Sequence, residues 1–408
     1  MPFVLNGETY TAMLRHLTAG ESHGISLTAI LEGLPAGVPV CAAAIGRDLA
    51  LRQRGYGRGG RMAIERDVAH ITAGVRHGLS LGSPISVVIA NRDWENWREE
   101  MSPEAQPDGW DTRCSVRVPR PGHADLAGAA KYRHPDMRNI LERASARETA
   151  ARVAVGAICR SLLGPLGIEV LSVVAEIGGT SWAVPDDWSE DLCAAARASD
   201  VGCPDPDTAR RMRLAIDAAR DDGDTLGGLV EVRSWGLPPG LGSHVAADRR
   251  LDGRLAAAVM SIPAIKGVEI GMGFGVASAR GSKVHDAITP AGGQWPFARA
   301  SNNAGGIEGG MTNGEPLVLR AALKPIPTLL QPLPSVSLDT LASAPAHAER
   351  SDACAVPAAA IVVEAAVCFE LARAALEKFG GDCLHDLKDS VERYRADRAF
   401  LWRSDGGK

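Results

Sequence analysis

Two histidines in this chain stand beside glycine and close to other polar or cationic residues, where an imidazole could exchange a proton with an anionic ligand. His23 lies in Gly20-Glu-Ser-His-Gly24, and His123 in Arg117-Val-Pro-Arg-Pro-Gly-His-Ala-Asp125. Glycine on both sides of Ser22 and His23 lets a ligand approach the backbone closely; a turn carrying a part-exposed histidine is equally consistent. The arginines near His123 disfavour its imidazolium until an anion arrives, which suits an acid/base role. The plain alternative is a surface loop.

Arginine is concentrated in the same way. Arg52-Gln-Arg-Gly-Tyr-Gly-Arg-Gly-Gly-Arg61 holds four arginines and four glycines in ten residues, and guanidinium forks match phosphate or carboxylate oxygens. An oxyanion-binding loop fits this run better than an RNA-binding arginine–glycine segment, because Tyr56 is the one aromatic beside it. Arg143-Ala-Ser-Ala-Arg147-Glu148 opens a predicted helix, whose N-terminus would favour an anion. Downstream, the glycine-dense stretch from Asn302 to Gly314 would lie flat against a planar ligand. Lys324-Pro-Ile-Pro-Thr328 adds a cation, and Arg350-Ser-Asp352 sets an arginine beside a carboxylate. The Walker A and dinucleotide-binding glycine patterns are missing, and His70 and His77 have no third ligand type to make a metal site.

These residues must be positioned by a chain of 408 residues with a net charge of −5 and 4% aromatics. The charge balance argues against nucleic acid or anionic lipid as bulk partners, so attraction for anions has to be local. No apolar run reaches the ~18 residues of a membrane span, no signal segment is evident, and the eight cysteines form no Cys-x-x-Cys pair. A cytoplasmic protein with reduced thiols is expected. Patterning predicts strands over 26–34, 68–75, 85–90, 168–177, 229–235, 268–274 and 317–322. It predicts helices over 42–54, 145–163, 207–220, 251–260 and 357–379. Ser145 and Glu148 have capping-box spacing at the head of the 145–163 helix. Residues 94–112, with three of the eight tryptophans, read as a surface excursion. The mixture implies one large α+β domain spanning 1–408.

Taken together and in order, Gly20–Gly24, Arg52–Arg61, Arg120–Asp125, Arg143–Thr149, Ala264–Gly271, Ser301–Gly314, Lys324–Thr328 and Arg350–Asp352 resemble the chorismate synthase family, over about Leu14 to Gly381. The resemblance implies a β-α-β sandwich with helices packed between antiparallel sheets, in a homotetramer. It implies an anti-1,4 elimination of phosphate and a proton from 5-enolpyruvylshikimate-3-phosphate to give chorismate, dependent on reduced FMN. By similarity, His23 would protonate the departing phosphate and His123 the reduced flavin near N1. Asp352, through Ser22, would relay the proton that flavin N5 removes. The resemblance also carries Arg143, Ala144, Ser145, Pro263, Ala264, Gly309, Lys324, Pro325, Ile326, Pro327, Thr328 and Arg350 to FMN contacts. Arg52 and Arg58 match positions for a nicotinamide dinucleotide phosphate or, physically, for the substrate phosphate. The flavin would be reduced either by NADPH at this chain or by a separate reductase. Met272 stands where many relatives have an acid, and the 94–112 excursion and the tail after Gly381 match no motif.

Overall fold

Alternating burial along short β-branched and leucine-rich runs builds two antiparallel sheets. Leu27, Ala29 and Leu31 alternate with more exposed neighbours in the Ser26–Glu32 strand, as do Ile85, Val87 and Ile89 in Ile85–Ala90. These two are the centre of a four-stranded sheet with Arg15–Ala19 on one edge and Ala69–Ala73 on the other, in register Thr28↔Val88 and His70↔Val88. A five-stranded sheet runs in the order Ile265–Ile270, Leu317–Leu323, Gly228–Trp235, Glu169–Ile177, Thr180–Ser181. Every neighbouring pair in both sheets is antiparallel. The computed structural model describes residues 14–58, 67–108, 110–291, 295–348 and 352–397.

Two helices fill the space between the sheets. Thr149–Leu163 packs on the Ser26–Glu32 strand, Val356–Phe379 packs on Glu169–Ile177 and Gly228–Trp235, and the helices lie against one another. Both are apolar on nearly every side, the pattern of a helix with no solvent face. Their backbones approach so closely that a Cβ on Gly156 would sit 2.4 Å from the Ala365 Cβ. The expected β-α-β sandwich is therefore the observed architecture.

Three expectations are corrected in detail. The 145–163 helix is broken: Arg138–Ala144 is one helix, Ser145 is extended (φ −67°, ψ 145°), Ala146–Glu148 is a 3₁₀ turn, and Thr149–Leu163 follows. Ser145 does cap, accepting the Arg147 N–H at 3.2 Å. The Glu148 carboxylate turns instead to Arg152 at 2.8 Å, one helical turn along, so the reciprocal half of the box is not made. The strand expected at 268–274 runs from Ile265 to Ile270. It stops at Gly271, where φ is +59° and a Cβ would lie 2.1 Å from the Asn303 carbonyl oxygen. The tail after Gly381 forms the Leu384–Ala396 helix, anchored by buried Leu387 and Val391.

One charged group lies at the centre of this apolar layer. Glu364, 1% exposed, takes guanidinium contacts from Arg160 and Arg197 and the Ser172 hydroxyl at 2.6 Å. Burial pushes its carboxyl up, but the two arginines and Ser172 outweigh that and leave it below its usual value. Its contribution is thus present above the unfolded carboxylate pKa of about 4.3 and is lost as pH falls through the folded value. We expect Glu364→Ala to cost about 3 kcal/mol, at the low end for a broken buried pair because both arginines keep partial exposure. Urea midpoints at neutral pH check the loss, and the variant's stability should fall less than the parent's as the medium is acidified.

Candidate functional site

His23 sits in the turn between the first two strands, where Gly20 at φ +112° brings the chain so close that a Cβ would lie 2.3 Å from the Ser26 carbonyl oxygen. Glu142, from the Arg138–Ala144 helix, accepts the His23 backbone N–H at 2.8 Å and meets the ring Nδ1 at 2.8 Å with its other oxygen. Arg138, one turn earlier, reaches the same oxygen at 3.2 Å. Burial raises the Glu142 carboxyl, and the His23 ring, its N–H and Arg138 together reverse this to a value below normal. An ionised carboxylate at Nδ1 selects the tautomer protonated there, which leaves Nε2 to exchange a proton with a ligand. Asn91 fixes the turn from the other side: its amide donates to the Gly24 carbonyl at 2.9 Å and the Ser22 carbonyl at 3.3 Å. Ser145 donates to the Ser22 hydroxyl at 3.2 Å.

His123 lies two residues before the Asp125–Tyr132 helix. Its Nδ1 meets Asp125, a carboxylate with no exposed surface that also takes the Arg120 Nε at 2.8 Å and the Arg120 backbone N–H at 3.1 Å. The counter-anion beside His123 is therefore built in. Arg120 reaches on to the Thr328 hydroxyl at 3.1 Å, and Lys324 donates to the Gly122 carbonyl. Lys324 N donates to the Ala264 carbonyl at 2.9 Å, and Ala264 itself holds a left-handed φ of +71° that only a constrained site retains. Pro327 lies against Gly122, Pro325 against Gly227, and Ile326 accepts the Thr225 hydroxyl at 2.7 Å. The 120–125, 263–264 and 324–328 segments thus converge. Burial and neighbouring Lys266 both push the Lys324 amine below its usual value, a setting that an incoming anion would relieve.

Other expected residues lie elsewhere or have internal work. Gly309 is in the tight turn after Ile307–Glu308; Gly310 beside it accepts the Leu251 N–H at the start of Leu251–Met260, whereas Pro263 and Ala264 follow that helix's end. Ten residues of helix, about 15 Å, lie between. Arg143 bonds the Thr18 and Gly20 carbonyls at 3.0 Å each and the Thr18 hydroxyl at 2.8 Å, bracing the His23 turn with Ala144 and Ser145 beside it. Arg52, only 5% exposed, donates to the Ala146 carbonyl at 2.8 Å and the Thr149 hydroxyl at 2.9 Å. Arg58 pairs with Asp352 at 3.1 Å. Arg350 and Arg61 lie outside the described residues. Among the described residues no cluster could hold a metal ion.

Sequence reasoning missed Glu142, Arg138, Asn91 and Trp97, the last stacked on the His23 ring at 3.8 Å. The i, i+4 spacing of Arg138 and Glu142 was the available signal for the first two. What joins the two histidines was also hidden: the Asp125–Tyr132 and Arg138–Ala144 helices pack together over Val116, Ala129, Met137 and Leu141. Gly128 makes room there, since its Cβ would lie 2.4 Å from Ile140. Asp125 is raised by burial but held far below its usual value by His123 and Arg120. Its stabilisation is complete above the unfolded aspartate pKa of about 3.9 and fades only in strong acid. Asp125→Ala, which strands Arg120 in the interior, should cost about 3–5 kcal/mol at pH 7, read from denaturant unfolding.

Comparison with known proteins places the chain in a family. The family model described as chorismate synthase matches residues 14–376. The chain is 61% identical to the chorismate synthase of Moorella thermoacetica, over 94% of this chain and 98% of that one. It is 57% identical to that of Desulforudis audaxviator, over 95% of this chain and all of the relative. A crystal structure of chorismate synthase superposes with a TM-score of 0.75 at 43% identity, covering 94% of this chain and 97% of that one. The chain belongs to the chorismate synthase family, lyases of the shikimate pathway that act on 5-enolpyruvylshikimate-3-phosphate, and that lyase activity is its function.

Proposed function

We propose that the chain carries out its elimination with reduced FMN bound beside His123 and with His23 facing the substrate phosphate. One observation supports this most: each histidine is held at Nδ1 by a carboxylate, Glu142 or Asp125, at the two ends of one packed helix pair. The substrate is a multiply charged anion, so fixed guanidinium and ammonium groups suit it. The residues also suit a flavin phosphate and ring edge. Lys324 is a part-desolvated cation whose charge is opposed by burial and by Lys266, and the constrained Ala264 carbonyl and Lys324–Thr328 backbone form a rigid wall.

His23, with Nδ1 directed to Glu142, delivers its proton from Nε2 to the phosphate oxygen as the carbon–oxygen bond breaks, so that hydrogen phosphate departs and not the trianion. His123, oriented by Asp125 and Arg120, holds a proton toward the flavin pocket. Asp352 with Ser22 carries the ring proton away; Arg58 fixes Asp352, and Ser145 fixes Ser22. Reduced FMN, when bound, supplies and recovers electron density without net oxidation. Arg143, Ala144 and Ser145, Pro263 and Ala264, Gly309, Lys324 through Thr328, and Arg350 are the residues we assign to holding it. Because Gly309 lies a helix length from Ala264, its contact would come from a neighbouring subunit of the homotetramer.

Arg52 and Arg58 we read as framework and substrate-phosphate residues more than as an NADPH site, since Arg52 is committed to Ala146 and Thr149. We further place the chain in the cytoplasm as a single domain from 1 to 408. The eight cysteines are free thiols and no described helix is long and apolar enough to cross a membrane.

The test is an anaerobic assay with chemically reduced FMN. His23→Asn and His123→Asn should each lower kcat by about 10²- to 10⁴-fold while the protein still binds FMN by its absorbance change. Near-normal turnover in both removes the two histidines from the chemistry. Repeating the assay in air with NADPH and oxidised FMN shows whether the chain reduces its own flavin; activity there would restore NADPH to the Arg52–Arg58 region.

A further inference from the structure

We propose that Trp97, brought inward from the 94–112 excursion, is a positioning residue for His23. The inference rests on the reading of His23 as the group that protonates the leaving phosphate. The indole and imidazole rings lie 3.8 Å apart between centroids with 25° between planes, a stacked contact. With Cγ tethered to the backbone, the hydrogen bond at Nδ1 chooses the direction of the ring, and the stacked indole face resists its tilting out of that direction. Glu142 thus aims Nε2, and Trp97 keeps it aimed.

The way Trp97 is held favours this over simple packing. Its indole N–H donates to Asp93 at 3.1 Å, and the Asp93 backbone N–H donates to the Asn91 side-chain oxygen at 3.0 Å. The amide nitrogen of that same Asn91 grips the carbonyls of Ser22 and Gly24, on either side of His23. One buried side chain thus fixes both partners of the stack. Two charged groups near the imidazole, Glu142 and Arg138, come from the Arg138–Ala144 helix, and the Arg138 guanidinium carbon is also 5.4 Å from the Trp97 ring centre. Asp93 meets the far edge of the indole.

The experiment measures kcat and KM with saturating pre-reduced FMN for the parent enzyme, Trp97→Leu, Trp97→Phe and His23→Asn. For Trp97→Leu we expect kcat to fall about 10- to 100-fold through misorientation, while substrate KM changes less than about twofold. Trp97→Phe, which keeps an aromatic face, should recover most of the rate. Trp97→Phe as impaired as Trp97→Leu overturns the proposal in favour of packing alone. A raised KM at unchanged kcat overturns it in favour of direct substrate binding. If His23→Asn keeps the parent's rate, the underlying assignment of His23 fails instead. Should Trp97→Leu not fold, Asp93→Ala, which releases the indole anchor, must show the same fall in kcat at unchanged KM.

Discussion

A buried carboxylate that holds one residue at two points is the constraint on which this site depends. Glu142 receives both the backbone N–H and the ring Nδ1 of His23, so the turn and the side chain are fixed by one group. Such a contact is only worth its desolvation if the carboxylate arrives in place with its remaining lone pairs met. Arg138 meets one of them, and the Glu142 backbone carbonyl accepts the Ser22 N–H at 2.9 Å. Much of the surrounding architecture serves to deliver that helix to that turn. Arg143 extends from the same helix to the end of the first strand, and Ser145 closes onto Ser22.

The arginine-rich segments look different once their partners are known. In an acidic chain a cluster of guanidiniums reads as waiting for an anion, yet several are already engaged: Arg52 with Ala146 and Thr149, Arg58 with Asp352, Arg120 with Asp125, Arg147 with Asp67. This is preorganisation. A guanidinium whose position is set by the protein meets a charged ligand without moving, and an electrostatic site gains most from groups that need no rearrangement. Lys324 differs because its charge is opposed by burial and by Lys266, an opposition that a nearby anion would relieve.

How far the sequence revealed this follows the range of the interactions. Strands with period-two burial, such as Leu317–Leu323, and helices with clear ends, such as Leu251–Met260, were legible because the signal lies within a few residues. Both histidines and their glycines were legible as local motifs too. The break at Ser145 was not: the capping pattern is the same whether the helix starts there or a second one ends, and the choice is made by tertiary contacts to Ser22 and the first strand. Glu142 was missed because its partner lies 119 residues away. Trp97 was missed because a tryptophan among polar residues reads as exposed until Asn91 is seen to turn it inward. Gly309 was legible as a motif, but its distance from Ala264 along Leu251–Met260 is a property of the fold alone.

The spacing of the two histidines follows from packing, not from either loop. His123 precedes one short helix and Glu142, which fixes His23, lies in the last turn of the next; the separation of the two imidazoles is set by how those helices cross. They cross where Gly128 meets Ile140, with no room for a Cβ, over a core of four buried residues. A close crossing of this kind has little slack, since shifting one helix forces the other. Loops rich in glycine carry the two histidines, but a dense contact outside any motif holds those loops relative to one another. The chain thus separates the candidate site into segments that can be read locally and segments that cannot.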